Sequence, residues 1–285
     1  MALVNTTEDL LAELKLHGLR EALPKRLEDL HSQQWSPSEF LNLCLEDEKL
    51  HRQNLRLRRR LREANFPISA SIENLDFATD RQLRKSLIRE LASASFITQG
   101  QNILIAGPTG VGKTHLACAL GQAACRQGFS ALFFSLNRLL EKIAMVRAQG
   151  RYLSLLRKLT SVDVVILDDL GLRALTAVQL QDIYDLVDGR VESLSTIVTT
   201  QLPVENWQEI LPDPVLCEAI TDRIVQKAIM IEMQGDSYRK NASKETQTDP
   251  PRHWSHTGQD RKCETRVTFV KSLGWFREIR PRPPV

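Results

Sequence analysis

The chain has 285 residues, 42% hydrophobic and 26% charged, with a net charge of +3; that is length for one large or two modest domains with a real core, and too little charge to demand a nucleic-acid partner. Five scattered cysteines (Cys44, Cys118, Cys125, Cys217, Cys263) form no C-x-x-C pair, which argues against a disulfide framework and for free thiols in a reducing cytoplasm. The N-terminus lacks the basic and apolar blocks of a secretion signal, and no apolar run approaches the ~20 residues of a membrane span, so the expectation is a cytoplasmic protein with no membrane contact.

Residues 1–98 are predicted to be helical. "SPSE" at 36–39 offers a capping box, Ser36 with Glu39, and places Pro37 at the first helical position. That helix should run to residue 64, because in "NFP" (65–67) Pro67 disfavours helix at Phe66. A second helix is predicted over 80–95. From 99 to 235 short β-rich runs (103–106, 131–134, 162–168, 195–200, 228–233) alternate with helical stretches, the pattern of a parallel sheet covered on both faces. Residues 236–285 carry 11 Lys and Arg against 6 Asp and Glu, a surplus of +5 that leaves the rest at −2. This tail reads as basic and loosely ordered. Its His253, His256 and Cys263 lack a fourth ligand at zinc spacing. The division expected is a helical region over 1–68, an α/β domain over 69–240 and a tail over 241–285.

Residues 107–114, "GPTGVGKT", follow the strand-like "ILIA" and precede a helix-forming run, the setting of a phosphate-binding loop. Gly107, Pro108, Thr109, Gly110, Val111 and Gly112 would wrap backbone amides around phosphates at a helix N-terminus. Lys113 would add a charge near the γ-phosphate and Thr114 a hydroxyl for Mg²⁺; His115, next on the helix, joins the site without a catalytic role. In "VVILDDLG", Asp168 emerges at a strand end to hold Mg²⁺, and Asp169 can act as general base on water. Asp169 is one methylene shorter than the Glu common in related ATPases, which points to slow or partner-gated hydrolysis. "STIVTTQLP" ends in Thr199, Thr200 and Gln201, any of which could face the γ-phosphate or simply cap the strand.

Six arginines lie between Arg52 and Arg62. On a helix Arg52, Arg56 and Arg59 share one face, with Leu50, Leu57 and Leu61 opposite. Such a face, with Arg60 beside it, suits DNA phosphates or a solvated surface paired with Glu46, Asp47 and Glu48.

Together "RLREANFP", "GPTGVGKTHLACALG", "VVILDDLG", "STIVTTQLP", "DPVLCEAITDRIVQKA" and "GDSYRK" resemble the IstB-like ATP-binding proteins, AAA+ ATPases encoded beside a transposase in insertion sequences and similar to DnaA and DnaC. The resemblance implies a P-loop NTPase (AAA+) parallel sheet of order 5-1-4-3-2 behind an all-α N-terminal region, with ATP and Mg²⁺ as cofactors. It also implies an ATPase that oligomerises on double-stranded DNA, binds it through the N-terminal region and recruits or stimulates a transposase. Thr200 or Gln201 would be the first sensor, Arg223 a finger reaching a neighbouring subunit, Arg239 the second sensor, and "NLDFA" around Phe77 a neighbour of adenine. Two other readings stay open at this point: a DnaC-like helicase loader and a non-hydrolysing nucleotide-binding scaffold.

Overall fold

The computed structural model describes residues 2–235 apart from 34, 76, 78–82 and 192. The chain opens with α1 (Ala2–Glu13), α2 (His17–Gln33) and α3 (Pro37–Ala64). The capping box forms at the start of α3: Ser36 Oγ accepts from the Glu39 amide at 3.3 Å, and the Glu39 carboxylate accepts from the Ser36 amide at 2.8 Å. The helix stops at Asn65, which takes the left-handed conformation at φ 56° just ahead of the Phe-Pro pair. The first half of α3 is fastened to α2 by charge. Arg26 forms a two-pronged pair with Asp47 at 2.7 and 2.9 Å, and buried Glu48 accepts the amides of Gly18 and Leu19 at the start of α2.

The second half of α3 lies on the α/β unit, with Leu57 and Leu61 partly buried against its core. Leu50, expected on the same packing stripe, is instead 56% exposed. Periodicity decides which residues share a helix face; it does not decide how far the neighbouring layer extends. The helix expected over 80–95 is shorter. Residues 80–82 lie outside the described residues, Leu83 and Arg84 are not helical, and α4 spans Lys85–Ala92. Ser93 Oγ donates back to the Glu90 carbonyl at 2.7 Å and Ala94 turns left-handed, so the chain restarts as the short α5 (Ser95–Thr98).

The α/β unit then runs β1 (Asn102–Ala106), α6 (Lys113–Arg126), β2 (Ala131–Ser135), α7 (Leu136–Ala148), α8 (Tyr152–Leu159), β3 (Val164–Leu170), α9 (Ala177–Asp188), β4 (Ser195–Thr200), α10 (Pro214–Val225) and β5 (Ala228–Glu232). All pairings are parallel and the order is β2-β3-β4-β1-β5, the expected 5-1-4-3-2 read from the opposite edge. Alternation along the strands builds two cores. Ile103, Ile105, Ile166 and Ile197 face α6 and the end of α3, while Leu104, Val165, Leu167 and Val198 join the cluster of α7–α10. Phe66 of "NFP" and Ile166 meet over Gly121 of α6, where a Cβ would stand 2.7 Å from either side chain. No helix among the described residues is long and apolar enough to cross a membrane.

Candidate nucleotide site

β1 delivers the chain into a tight loop that feeds α6. Gly107 has φ 151°, and a Cβ there would sit 2.2 Å from the Met233 carbonyl oxygen, so only glycine fits between β1 and the segment after β5. Gly112 caps α6 in the left-handed conformation. The first amides of α6 therefore have no partner within the helix and gather at its positive end.

Lys113 is 6% exposed. Its Nζ donates to the carbonyls of Gly107 and Pro108 at 2.8 and 2.9 Å. Burial lowers its pKa, opposed by the carboxylates of Asp169 and Asp168. Thr114 Oγ1 lies 3.0 Å from each oxygen of Asp168. Asp168, 4% exposed, has its pKa raised by burial, with the hydroxyl of Thr199 (2.6 Å) acting most strongly in the other direction.

β3 is irregular at this point. Its pairing with β4 jumps from Leu167↔Val198 to Leu170↔Thr200, so Asp168 and Asp169 together oppose the single Thr199, which is a β-bulge. Asp169 sits at φ 65°. A regular strand would send successive side chains to opposite faces; here both acids line one cleft.

That cleft holds about 800 Å³. Lys113, Thr114, Asp168 and Asp169 form its polar end, and Ile68, Leu75 and Leu83 lie on its apolar wall. Loop amides and one ammonium match a polyphosphate. A hydroxyl beside a carboxylate gives Mg²⁺ hard oxygen donors, few enough to leave room for water. The donor set thus fits a magnesium-bound nucleotide.

The structure sorts the remaining expected residues. Val111 and His115 line the cleft. Gln201 is brought beside the loop, where its Oε1 accepts from Thr109 Oγ1 at 2.7 Å. Thr200 is fully buried, and its hydroxyl closes the turn after β4 by bonding the amide and carbonyl of Leu202. In "NLDFA" Asn74 and Leu75 reach the cleft wall, while Phe77 packs on the core under the Lys85 ammonium, 5.4 Å from its ring. Arg223 belongs to the other end of the sheet: its carbonyl accepts from the side chain of Asn102, where β1 begins. Its guanidinium donates to Asp188 at 2.8 Å and to Tyr184 at 3.1 Å and stacks on the Tyr184 ring. Arg239, the tail and the His253–His256–Cys263 group lie outside the described residues.

On α3, Arg52 donates to Glu48 at 2.6 Å and Arg59 to Glu63 at 2.8 Å. Arg56 is exposed and Arg60 half-buried near Gly128; neither is in an ion pair among the described residues. The residue whose function the sequence left undivided from its neighbours is Thr199, and its only signal was a hydroxyl at the end of β4.

A parallel sheet of this order, with the phosphate loop after β1 and an acid pair on β3, defines a P-loop fold of the AAA+ type. Residues 9–246 match the family of IstB-like ATP binding proteins, and the chain belongs to it. It is 38% identical over 239 residues to the insertion sequence ATP-binding protein y4pL of Sinorhizobium fredii, covering 84% of this chain and 98% of that one. Identity is 35% over 230 residues to an ATP-binding protein in an insertion sequence of Mycobacterium tuberculosis, covering 80% and 92%. Among solved structures, DnaI is 24% identical with a TM-score of 0.51, over 62% of this chain and 94% of that one. AMPPCP-bound DnaA from Aquifex aeolicus is 18% identical with a TM-score of 0.53, over 66% and 59%. At those identities the likeness is one of fold.

Proposed function

We propose that the protein is the ATP-hydrolysing helper of an insertion sequence: it binds ATP with Mg²⁺, assembles as a homo-oligomer on double-stranded DNA, and there recruits or stimulates the transposase of the same element. The observation that carries the ATPase reading is the meeting of Lys113, Thr114, Asp168 and Asp169 at one end of a single cleft. The insertion-sequence setting is supported by the relatives, which are described as ATP-binding proteins of such elements.

When bound, magnesium-chelated ATP supplies an activated phosphoryl group. Lys113 exchanges the carbonyls of Gly107 and Pro108 for phosphate oxygens, and the α6 amides share that charge. Thr114 and Asp168, whose oxygens lie side by side, would hold the metal. Asp169 takes the proton from the attacking water, and Gln201, tied to Thr109, orients that water. Arg223 leaves Asp188 to reach a neighbouring subunit's cleft, which makes assembly depend on the triphosphate. Arg56 and Arg60 meet DNA phosphates. Turnover is slow and rises with DNA or assembly.

The test is sedimentation of the full chain on duplex DNA with ATP, ADP or no nucleotide, with phosphate release measured in parallel and the element's transposase added last. ATP-dependent assembly that retains the transposase is expected. Assembly indifferent to nucleotide, or no phosphate release with DNA present, contradicts the proposal.

A further inference from the structure

The irregularity in β3 gives Thr199 a job distinct from that of a sensor facing phosphate. A bulge leaves one residue of the longer strand without its usual ladder partner, and a buried amide left unpaired is costly. Here the unpaired position is Asp169, at φ 65°. Its amide donates to Thr199 Oγ1 at 2.9 Å, so a side chain on β4 replaces the missing backbone acceptor. The same oxygen donates its own proton to Asp168 Oδ1 at 2.6 Å. Thr199 is fully buried, and the two bonds use its one proton and one of its lone pairs. A single hydroxyl therefore fixes the backbone of one acid and the carboxylate of the next.

We infer that Thr199 is the positioning residue that holds the Asp168–Asp169 bulge in the form that turns both carboxylates into the cleft. The inference rests on the ATPase reading for its consequence in turnover, but not for the geometry itself. Thr199 does not line the cleft that Asp168 and Asp169 face; it acts through the two acids. Serine keeps the bonding oxygen, whereas valine keeps the shape and removes both bonds. The hydroxyl of Thr200, one residue on, bonds only Leu202 in the turn after β4, which makes it the internal control.

The experiment compares Thr199→Val, Thr199→Ser and Thr200→Val in the full chain. The first readout needs no nucleotide: hydrogen exchange of the Asp169 amide by NMR. Exchange in Thr199→Val is expected to rise at least tenfold, with Thr199→Ser and Thr200→Val near the parent. The second readout is the split between KM and kcat for phosphate release. Thr199→Val should lower kcat by about a hundredfold with KM within threefold, and Thr199→Ser should recover most of it. Unchanged protection of Asp169 in Thr199→Val overturns the inference even if the parent hydrolyses nothing. Faster exchange with undiminished kcat overturns the link to turnover, and a serine variant as impaired as the valine one means that the methyl, not the hydroxyl, matters. Loss of nucleotide binding by the parent would sink the ATPase reading and leave the exchange result standing on its own.

Discussion

Both ends of the sheet bury positive charge, and they do so in opposite ways. At the start of the strands Arg190 is 2% exposed. Its five N–H groups reach the carbonyls of Leu159, Val162, Asp163 and Ser195 and the hydroxyl of Thr196. Burial pulls its pKa down to about 10, which still leaves it charged at neutral pH. All of its donors are matched by neutral oxygens, and it ties together the loops that lead into β3 and β4. At the far end Lys113 has two carbonyl partners and faces two carboxylates across an open cleft. A fully matched buried charge acts as a staple. A buried charge whose partners can be exchanged is a place for a ligand.

Arg190→Leu should break the staple and cost about 3–5 kcal/mol of stability, or prevent folding, because it leaves buried carbonyls without donors; denaturant unfolding reads this directly. A loss below 1 kcal/mol would remove the contrast. At the other end Asp169→Asn should leave the fold and nucleotide affinity in place and lower kcat by about 10²–10⁴-fold, the range for a general base. Equal losses in affinity and turnover would instead assign Asp169 to binding.

Asp168→Asn tests whether the cleft gives up stability for function. Burial holds the folded-state pKa of Asp168 above its unfolded value. The folded state therefore binds that proton more tightly, and the associated stability is lost as pH rises from the unfolded value of about 3.9 through the raised folded value. Asparagine removes the buried charge, so at neutral pH the variant should be more stable, with the gain fading toward about pH 4. Thermal melts across that range check the sign; a gain that grows on acidification contradicts the assignment. The smallest effect is expected on α3. Replacing both Arg56 and Arg60 by Ala should flatten the plot of log binding constant against log salt for duplex DNA by about one unit per lost phosphate contact. Arg52→Ala and Arg59→Ala should do less, since Glu48 and Glu63 already engage those side chains.

Much of the nucleotide end was legible in the sequence because binding a polyphosphate needs fixed residue types at fixed spacing. The phosphate loop, the acid pair and the α3 capping box are local, and each stands within a short stretch of chain. All five strands fell within two residues of their structural limits; the three central ones are buried runs that carry few alternatives, while β5 at the edge is largely uncovered. Other features were hidden for a physical reason. Arg190 is held almost wholly by backbone carbonyls, which every residue supplies, so nothing in the composition of its partners marks it. The bulge at Asp168 and Asp169 depends on register with β4, 30 residues downstream of Asp169, and so the separate roles of Thr199 and Thr200 could not be told apart. Leu50 had the right period but no neighbour to cover it.

The most direct test of the central claim is calorimetric titration of ATP with Mg²⁺ into the native protein and into Lys113→Ala. Binding by the native protein that falls at least a hundredfold in the variant, with the melting temperature kept, is what a cleft built to hold a magnesium-bound triphosphate predicts. Equal affinity in the two proteins would contradict it.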